Sequence, residues 1–315
     1  MRMNKILRKI TKRARRESGQ VFVISAVALT SLVLIAGFTI DVGTWFLAHR
    51  QQQSRVDAAA LAGASVLPGN TAGATTLAQQ YKTKNGGDGE AATITFSSKY
   101  NANDTITIRA TRTLPTYLTK LMGQQSVNIS STAIVRAEAL TAASGVAPFA
   151  VINTQPELVS KAWFQSTTLD LNKVGPGGFK IINVDGTTGG TSPATLANWI
   201  LNGCSCTASA QSWYWFWNSD PGAKFNSSAV ANALNQRIGQ ILLFPVYDTV
   251  QSGGANLEYH ILGFAGFHVT GYHFNGSKGA TLTGDFEPVT WAGATSGGGG
   301  TYFGSASPRL IAEGT

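Results

Sequence analysis

Residues 21–40 read VFVISAVALTSLVLIAGFTI, twenty positions without a charged side chain. At about 1.5 Å per residue a helix of that length reaches about 30 Å, the thickness of a bilayer's hydrocarbon layer. A cleaved secretory signal has a shorter apolar region, about 7 to 15 residues, and ends at a small-x-small site. The stretch that follows here is Asp41-Val42-Gly43-Thr44-Trp45. An uncleaved anchor is therefore expected, with a cleaved signal as the other reading. Trp45 and Phe46 fall where an interfacial aromatic belt sits, and Asp41 falls where a carboxylate stays hydrated at the membrane edge.

Charge orients the span. Of the 24 Lys and Arg residues in the chain, Arg2, Lys5, Arg8, Lys9, Lys12, Arg13, Arg15 and Arg16 precede it, with no acid among residues 1–16. The remaining 16 bases balance the 16 acids, so the net charge of +8 belongs entirely to the tail. By the positive-inside bias the tail is cytoplasmic and everything after Asp41 is exported. The neutral body lacks the clustered bases with interleaved aromatics that a nucleic-acid groove needs, and no nucleic-acid partner is expected.

Beyond the span, Val42, Trp45, Phe46, Val56 and Ala60 lie on one helical stripe, mostly apolar or small. The helix is expected to continue to Leu67 and to stop at Pro68-Gly69-Asn70. Two uses of the stripe stay open: packing on the protein's own next domain, or pairing with a partner's helix through small side chains.

One continuous string carries a family likeness. Glu17-Ser18-Gly19-Gln20-Val21 opens it, the apolar span and Asp41-Val42-Gly43 follow, and Gln51-Gln52-Gln53-Ser54-Arg55-Val56-Asp57-Ala58-Ala59-Ala60-Leu61-Ala62-Gly63-Ala64 closes it. In this string the chain resembles the TadE/TadG-like proteins of tight-adherence (Flp) pilus assembly. The resemblance implies a bacterial inner-membrane protein that works in pilus assembly or surface adhesion through protein contacts, with other pilus-assembly or envelope proteins as partners. Some members carry a metal-dependent adhesion domain. No Asp-x-Ser-x-Ser string occurs after residue 140, so no metal is carried over. Type IV prepilins are similar too, but the fifth residue after Gly19 is Ile24 rather than glutamate, which argues against processing and against a polymerising subunit.

The expected fold class is α+β: a basic tail (1–20), a transmembrane helix (21–40), a helical stalk (41–67), a small antiparallel α+β module (68–140) and a β-rich extracytoplasmic domain (141–315). In the module a short helix is expected at Thr75 to Tyr81, strands at Ala92 to Ser97, Thr105 to Thr113 and Val127 to Ala137, and a short helix from Pro115 to Met122 closed by Gly123. Alternation in Thr105-Ile106-Thr107-Ile108-Arg109 puts both isoleucines on one face. The small residues Thr141 to Gly145 read as a boundary. After it, a helix runs between Ser192-Pro193 and Gly203, and another covers Ser227 to Ile241. Strands are expected at Phe179 to Val184, Ile241 to Tyr247, Glu258 to Phe274 with a bend at Gly263 or Gly266, and Ala280 to Val289. Ser296-Gly297-Gly298-Gly299-Gly300 reads as flexible, with weak order after it.

Candidate chemistry is sparse. Cys204 and Cys206 either form a disulfide in an oxidising compartment or stay free thiols; two further ligands for a metal are missing nearby. His260 and His268 share a face of an extended strand but lie about 26 Å apart, while His273 is on the other face. No nucleophile elbow, phosphate loop or His-Glu-x-x-His helix is present, and no catalytic, cofactor-binding or metal residue is assigned. The run Trp213-Tyr214-Trp215-Phe216-Trp217, followed by a turn at Asn218-Ser219-Asp220-Pro221-Gly222, allows two readings. One is a buried core strand; the other is an exposed platform of Trp213, Trp215 and Trp217 for glycan, lipid or a partner. The rival to the assembly role is accordingly a membrane-tethered glycan-binding module or enzyme with its site in residues 146–315.

Overall fold

A computed structural model describes residues 3–188, 192–216, 225–253, 256–274, 279–291, 294–297 and 300–311. Helix α1 (Met3–Ala64) is continuous over 62 residues. From Gln20 it is the candidate membrane-crossing helix, long and apolar enough to cross once. Val21, Phe22, Leu29, Leu32 and Ile35 are all largely exposed, as are most of their neighbours. A helix that is apolar on every side and covered by almost nothing from its own chain suits hydrocarbon rather than water. The helix ends three residues before the expected Leu67, where Ser65 and Leu67 donate to Ala62 and Ala64 in a tighter turn. Asn70 then caps α2 (Thr71–Lys84), its side chain accepting from the Gly73 N–H at 2.7 Å.

The remaining elements run in order as β1 (Ala91–Ser97), β2 (Thr105–Pro115), a 3-10 turn (Thr119–Met122), β3 (Ser126–Ala143), β4 (Phe149–Ile152), α3 (Pro156–Val159), β5 (Ser166–Asp170), β6 (Phe179–Ile181), α4 (Pro193–Asn202), β7 (Ala208–Ser209), β8 (Ser212–Trp215), α5 (Ser228–Arg237), β9 (Gln240–Gly253), β10 (Asn256–Phe274), β11 (Ala280–Glu287), β12 (Val289–Thr290), β13 (Ala294–Ser296) and β14 (Ser305–Ile311). Two mixed sheets result. One has the order β1-β2-β3-β14-β12 with β7 and β13 also on β3; the other has the order β5-β11-β10-β9-β4-β6 with β8 on β10. This is a coarse α+β architecture.

The chain divides into two compact units. The first comprises Met1–Val56, Gly87–Thr93 and Arg109–Thr132; the second comprises Asp57–Gly86, Ile94–Ile108 and Ala133–Thr315. The first unit is therefore the apolar helix with the tip of the β2–β3 hairpin and the approach to β1. The second holds the large core. There, Phe149, Phe179, Phe225, Phe244, Phe267 and Phe286 are fully buried in one cluster with Leu196, Ile200, Val230 and Leu234 from α4 and α5. Several of their rings meet edge-on, among them Phe149 with Phe179 at 5.5 Å and Phe267 with Phe286 at 4.9 Å, while Phe244 stacks on Phe267 at 4.9 Å; both are favoured geometries for aromatic quadrupoles.

Local chemistry explains the boundaries. Ser192 caps α4 by accepting from the Thr195 N–H at 3.1 Å, and Gly203 ends it with φ 71°, a conformation that costs glycine nothing. Ser227 caps α5 in the same way. In β11 burial alternates strictly, with Ala280, Leu282, Gly284 and Phe286 inward. β10 shifts register between His260 and Gly263 and again between Val269 and Gly271, so the bend is distributed over two irregularities.

Three expectations differ from this fold. The stretch Thr141 to Ala143 does not interrupt the chain: it is the end of β3, with Ala142 paired to Ser209 and Ala143 to Ala294, and Leu140 and Ala143 are core residues. Among the described residues after the glycine run, Ser305–Ile311 forms a strand: β14 pairs antiparallel with β3 from Ala306 opposite Ala139 to Ile311 opposite Ile134. The helix expected from Pro115 to Met122 is a shorter 3-10 turn, ended by Gly123 at φ 94°. Trp217, the turn Asn218–Gly222 and the pair Gly298-Gly299 lie outside the described residues.

Candidate functional site

Asp41 sits one residue past the charge-free run, and it is fully buried. A carboxylate removed from water needs several donors to offset its lost hydration. The hairpin tip supplies them: Oδ1 accepts from the Tyr117 N–H at 3.0 Å, and Oδ2 accepts from the Leu118 N–H at 2.9 Å, the Thr119 N–H at 2.7 Å and the Thr119 hydroxyl at 2.8 Å. The Thr119 N–H opens the 3-10 turn, where helical geometry leaves donors without partners, and the N–H groups of Tyr117 and of the cap residue Leu118 lead into it. Asp41 thus acts as a cap supplied by a distant helix. The expectation of a hydrated membrane-edge carboxylate is replaced by a buried tertiary clamp.

The tip is shaped for this. Thr116 N–H donates to Gln125 O at 3.1 Å and its hydroxyl donates to Gln124 O, closing the loop base, while Gly123 N–H returns to Lys120 O at 3.0 Å. Leu118 packs on Gly37, one helical turn before Asp41. A Cβ on Gly37 would stand 2.6 Å from Leu118 Cβ, so only glycine admits the leucine. Gly37 and Asp41 together form a notch and hook on one side of α1.

Further along α1 the glutamine-rich string of the family likeness does related work. The Gln53 side-chain amide donates to Thr132 O at 2.9 Å, Ser131 donates to Gln52 Oε1 at 3.3 Å, and Arg55 bonds Glu90 at 2.8 Å with Glu90 almost wholly buried. Arg112 stands 3.8 Å from the same carboxylate. Residues 41, 52, 53 and 55 therefore bind three separate chain segments to the helix.

The proposed partner-helix stripe divides. Val42 and Phe46 are exposed and Trp45 is half-buried, whereas Val56 and Ala60 are fully buried in the protein itself. Only the membrane-proximal end of the stripe is open to a second helix.

The aromatic run alternates along β8. Tyr214 is buried, its hydroxyl accepting from the Ser209 N–H at 2.7 Å. Trp213 is 40% exposed and its ring lies 5.0 Å from that of His260, its cross-strand neighbour on β10. Trp215 is half-buried. Neither face of the strand is uniform, so the buried-strand and platform readings each describe half of it.

Cys204 and Cys206 are joined in a disulfide. His260 Nδ1 lies 2.8 Å from Asp248 and His268 Nδ1 lies 3.2 Å from Asp285, in separate pairs; His273 stands opposite Thr281. Among the described residues no group of three or more His, Cys, Asp or Glu side chains is placed to hold a metal ion.

Comparison with known proteins fits this division. The family model described as putative Flp pilus-assembly TadE/G-like matches residues 19–66, the segment that includes the apolar helix, Asp41 and the glutamine string. No curated protein and no solved structure matches the chain. Sequence reasoning missed Tyr117, Leu118 and Thr119 as partners of Asp41. The available signal was the density of apolar residues at a hairpin tip, Tyr117, Leu118, Leu121 and Met122, too many for a loop surrounded by water.

Proposed function

We propose that this chain is a single-pass protein of the bacterial cytoplasmic membrane, N-terminus in the cytoplasm and bulk outside it, serving Tad/Flp-type pilus assembly or surface adhesion through protein contacts. The observation that carries the reading is the coincidence of the family match at residues 19–66 with the exposed apolar helix. The tail's eight bases support that orientation. A disulfide between Cys204 and Cys206 suits an oxidising compartment. Val42 and Phe46, left open beside Trp45, are the surface for a partner's helix at the membrane edge. The second compact unit acts in this reading as the presented domain.

Crosslinking with mass spectrometry in intact cells tests the role: links from residues 42–46 to a pilus-machinery component are expected. Links only to unrelated envelope enzymes, or none, would remove it. Protease added to spheroplasts should digest the C-terminal portion and spare the tail.

A second reading is favoured by the exposure of Trp213 beside His260, an arrangement suited to stacking on a sugar ring. In it the chain is a membrane-tethered glycan-binding module.

A further inference from the structure

The tip between β2 and β3 presents three large apolar side chains that the described residues leave largely exposed. Tyr117 is 59% exposed, Leu121 72% and Met122 66%. A single exposed leucine is ordinary, but three within six residues of one turn are not. Their position along the helix is fixed by the contacts that hold the tip. Asp41 takes the N–H groups of residues 117–119, and Leu118 rests on Gly37. Gly37 lies within the charge-free run, three residues before its end at Ile40. Three residues of helix correspond to about 4.5 Å, so the tip reaches below the level at which the hydrocarbon-matching run ends.

We propose that residues 117–122 form a second membrane contact, seated in the interfacial layer of the same bilayer that α1 crosses. The occupant of the exposed apolar surface is lipid, because the tip is hooked at that depth to the anchor, whose own residues there, Phe38 and Ile40, are also exposed. Interfacial elements bury their apolar face about 5 to 10 Å into the headgroup and acyl boundary, and the depth of about 4.5 Å set by Gly37 is close to the shallow end of that range. The composition agrees. Tyr117 offers a ring with a polar end, and exposed Lys120 can extend its ammonium to headgroup phosphate. Within residues 117–122 the charge is that of Lys120 alone, which favours an anionic leaflet.

The inference rests on α1 crossing the membrane, and the test separates the two ideas. Single cysteines are introduced into the full chain by Leu121→Cys, Leu29→Cys and Val174→Cys, with Cys204 and Cys206 kept disulfide-bonded. Each variant is spin-labelled and reconstituted in vesicles of phosphatidylethanolamine and phosphatidylglycerol. Collision rates with oxygen and with a water-soluble nickel chelate report depth. The label at 29 should collide with oxygen and scarcely with nickel, that at 174 the reverse. The label at 121 should give an oxygen-to-nickel ratio several-fold above that at 174 and below that at 29. A ratio at 121 equal to that at 174, with 29 in lipid, overturns the membrane contact and leaves the anchor standing. Exclusion of both reagents at 121 overturns it in favour of a protein neighbour. Nickel access at 29 removes the anchor and this inference with it.

Discussion

Asp41 and Thr119 stand 78 positions apart in the chain, yet one carboxylate oxygen of Asp41 accepts both the backbone N–H and the hydroxyl of Thr119, at 2.7 and 2.8 Å. The relationship makes the end of the apolar helix part of a folded unit instead of a bare tether. It also accounts physically for an acid at the edge of a hydrophobic span, a position where an unpaired charge is costly.

Replacing the acid should therefore loosen the tip before anything else. In an Asp41→Ala variant the amides of Tyr117, Leu118 and Thr119 lose their acceptor, and hydrogen exchange at all three should accelerate by at least about tenfold, the factor expected for losing one charge-assisted bond. Exchange in β9 and β10 should stay as it is. Asp41→Asn keeps one acceptor oxygen and should fall between. Unchanged exchange at 117–119 would show that the clamp contributes nothing.

The opposing surface gives an independent check. Ala has the better helix propensity, by about 1 kcal/mol, so Gly37→Ala in an otherwise open helix would stabilise it. Here the new Cβ would meet Leu118 at 2.6 Å, and overpacking of that kind costs about 1 to 3 kcal/mol. The steric term wins, and Gly37→Ala should destabilise the tip in the same exchange experiment. Adding Leu118→Ala should restore protection relative to Gly37→Ala alone. A double variant no better protected than the single one would refute the contact.

Much of the scaffold was legible in residues 21–40, in Ser192 and Gly203, and in Ile106 and Ile108, because each signal is local: length without charge, a cap residue, a period of two. All three readings agree with elements in the structure. The clamp was not legible, since nothing in the neighbourhood of Asp41 names Tyr117, Leu118 or Thr119 as its donors. Strand β14 was hidden for a related reason. Ser305–Ile311 carries Pro308 and follows a glycine run, which reads as loop, and only its pairing with β3 makes it a strand. In the stretch Thr141–Gly145, read as a boundary, Thr141–Ala143 is the end of β3, because small residues mark linkers and also fit strands approached closely by neighbours.

Acid should act on a second buried carboxylate, in the second unit. Burial pushes the Asp104 carboxyl up, but hydrogen bonds from the Asn101 N–H, the Thr105 hydroxyl and the Tyr100 and Lys99 N–H groups outweigh it and hold its pKa below the ordinary value. A depressed folded pKa means that the unfolded chain binds the proton more readily. The stabilisation is then fully present above the unfolded value of about 4 and is lost as pH falls through the lower folded value. Urea midpoints measured from pH 6 down to about 2.5 should drop below about pH 4, and Asp104→Asn should be less stable at pH 6 with a flatter fall in that window. An equally steep acid loss in Asp104→Asn would assign the effect to other carboxylates.

The aromatic strand separates stability from attachment. Tyr214 belongs to a buried cluster and its hydroxyl is bonded to Ser209, so Tyr214→Ala should cost about 3 to 5 kcal/mol, the range for deleting a buried aromatic ring. Trp213, on the opposite face and 40% exposed, has less to lose, and Trp213→Ala should cost about 1 kcal/mol. With folding preserved, the Trp213 variant becomes a usable probe of ligand contact. If adhesion or binding to immobilised cell-wall glycan falls several-fold in Trp213→Ala while the thermal midpoint stays within a few degrees of the parent, the exposed ring is a contact surface. If both properties stay unchanged, the glycan-binding reading loses the observation that favours it, and the burden of function returns to Val42 and Phe46 at the membrane edge.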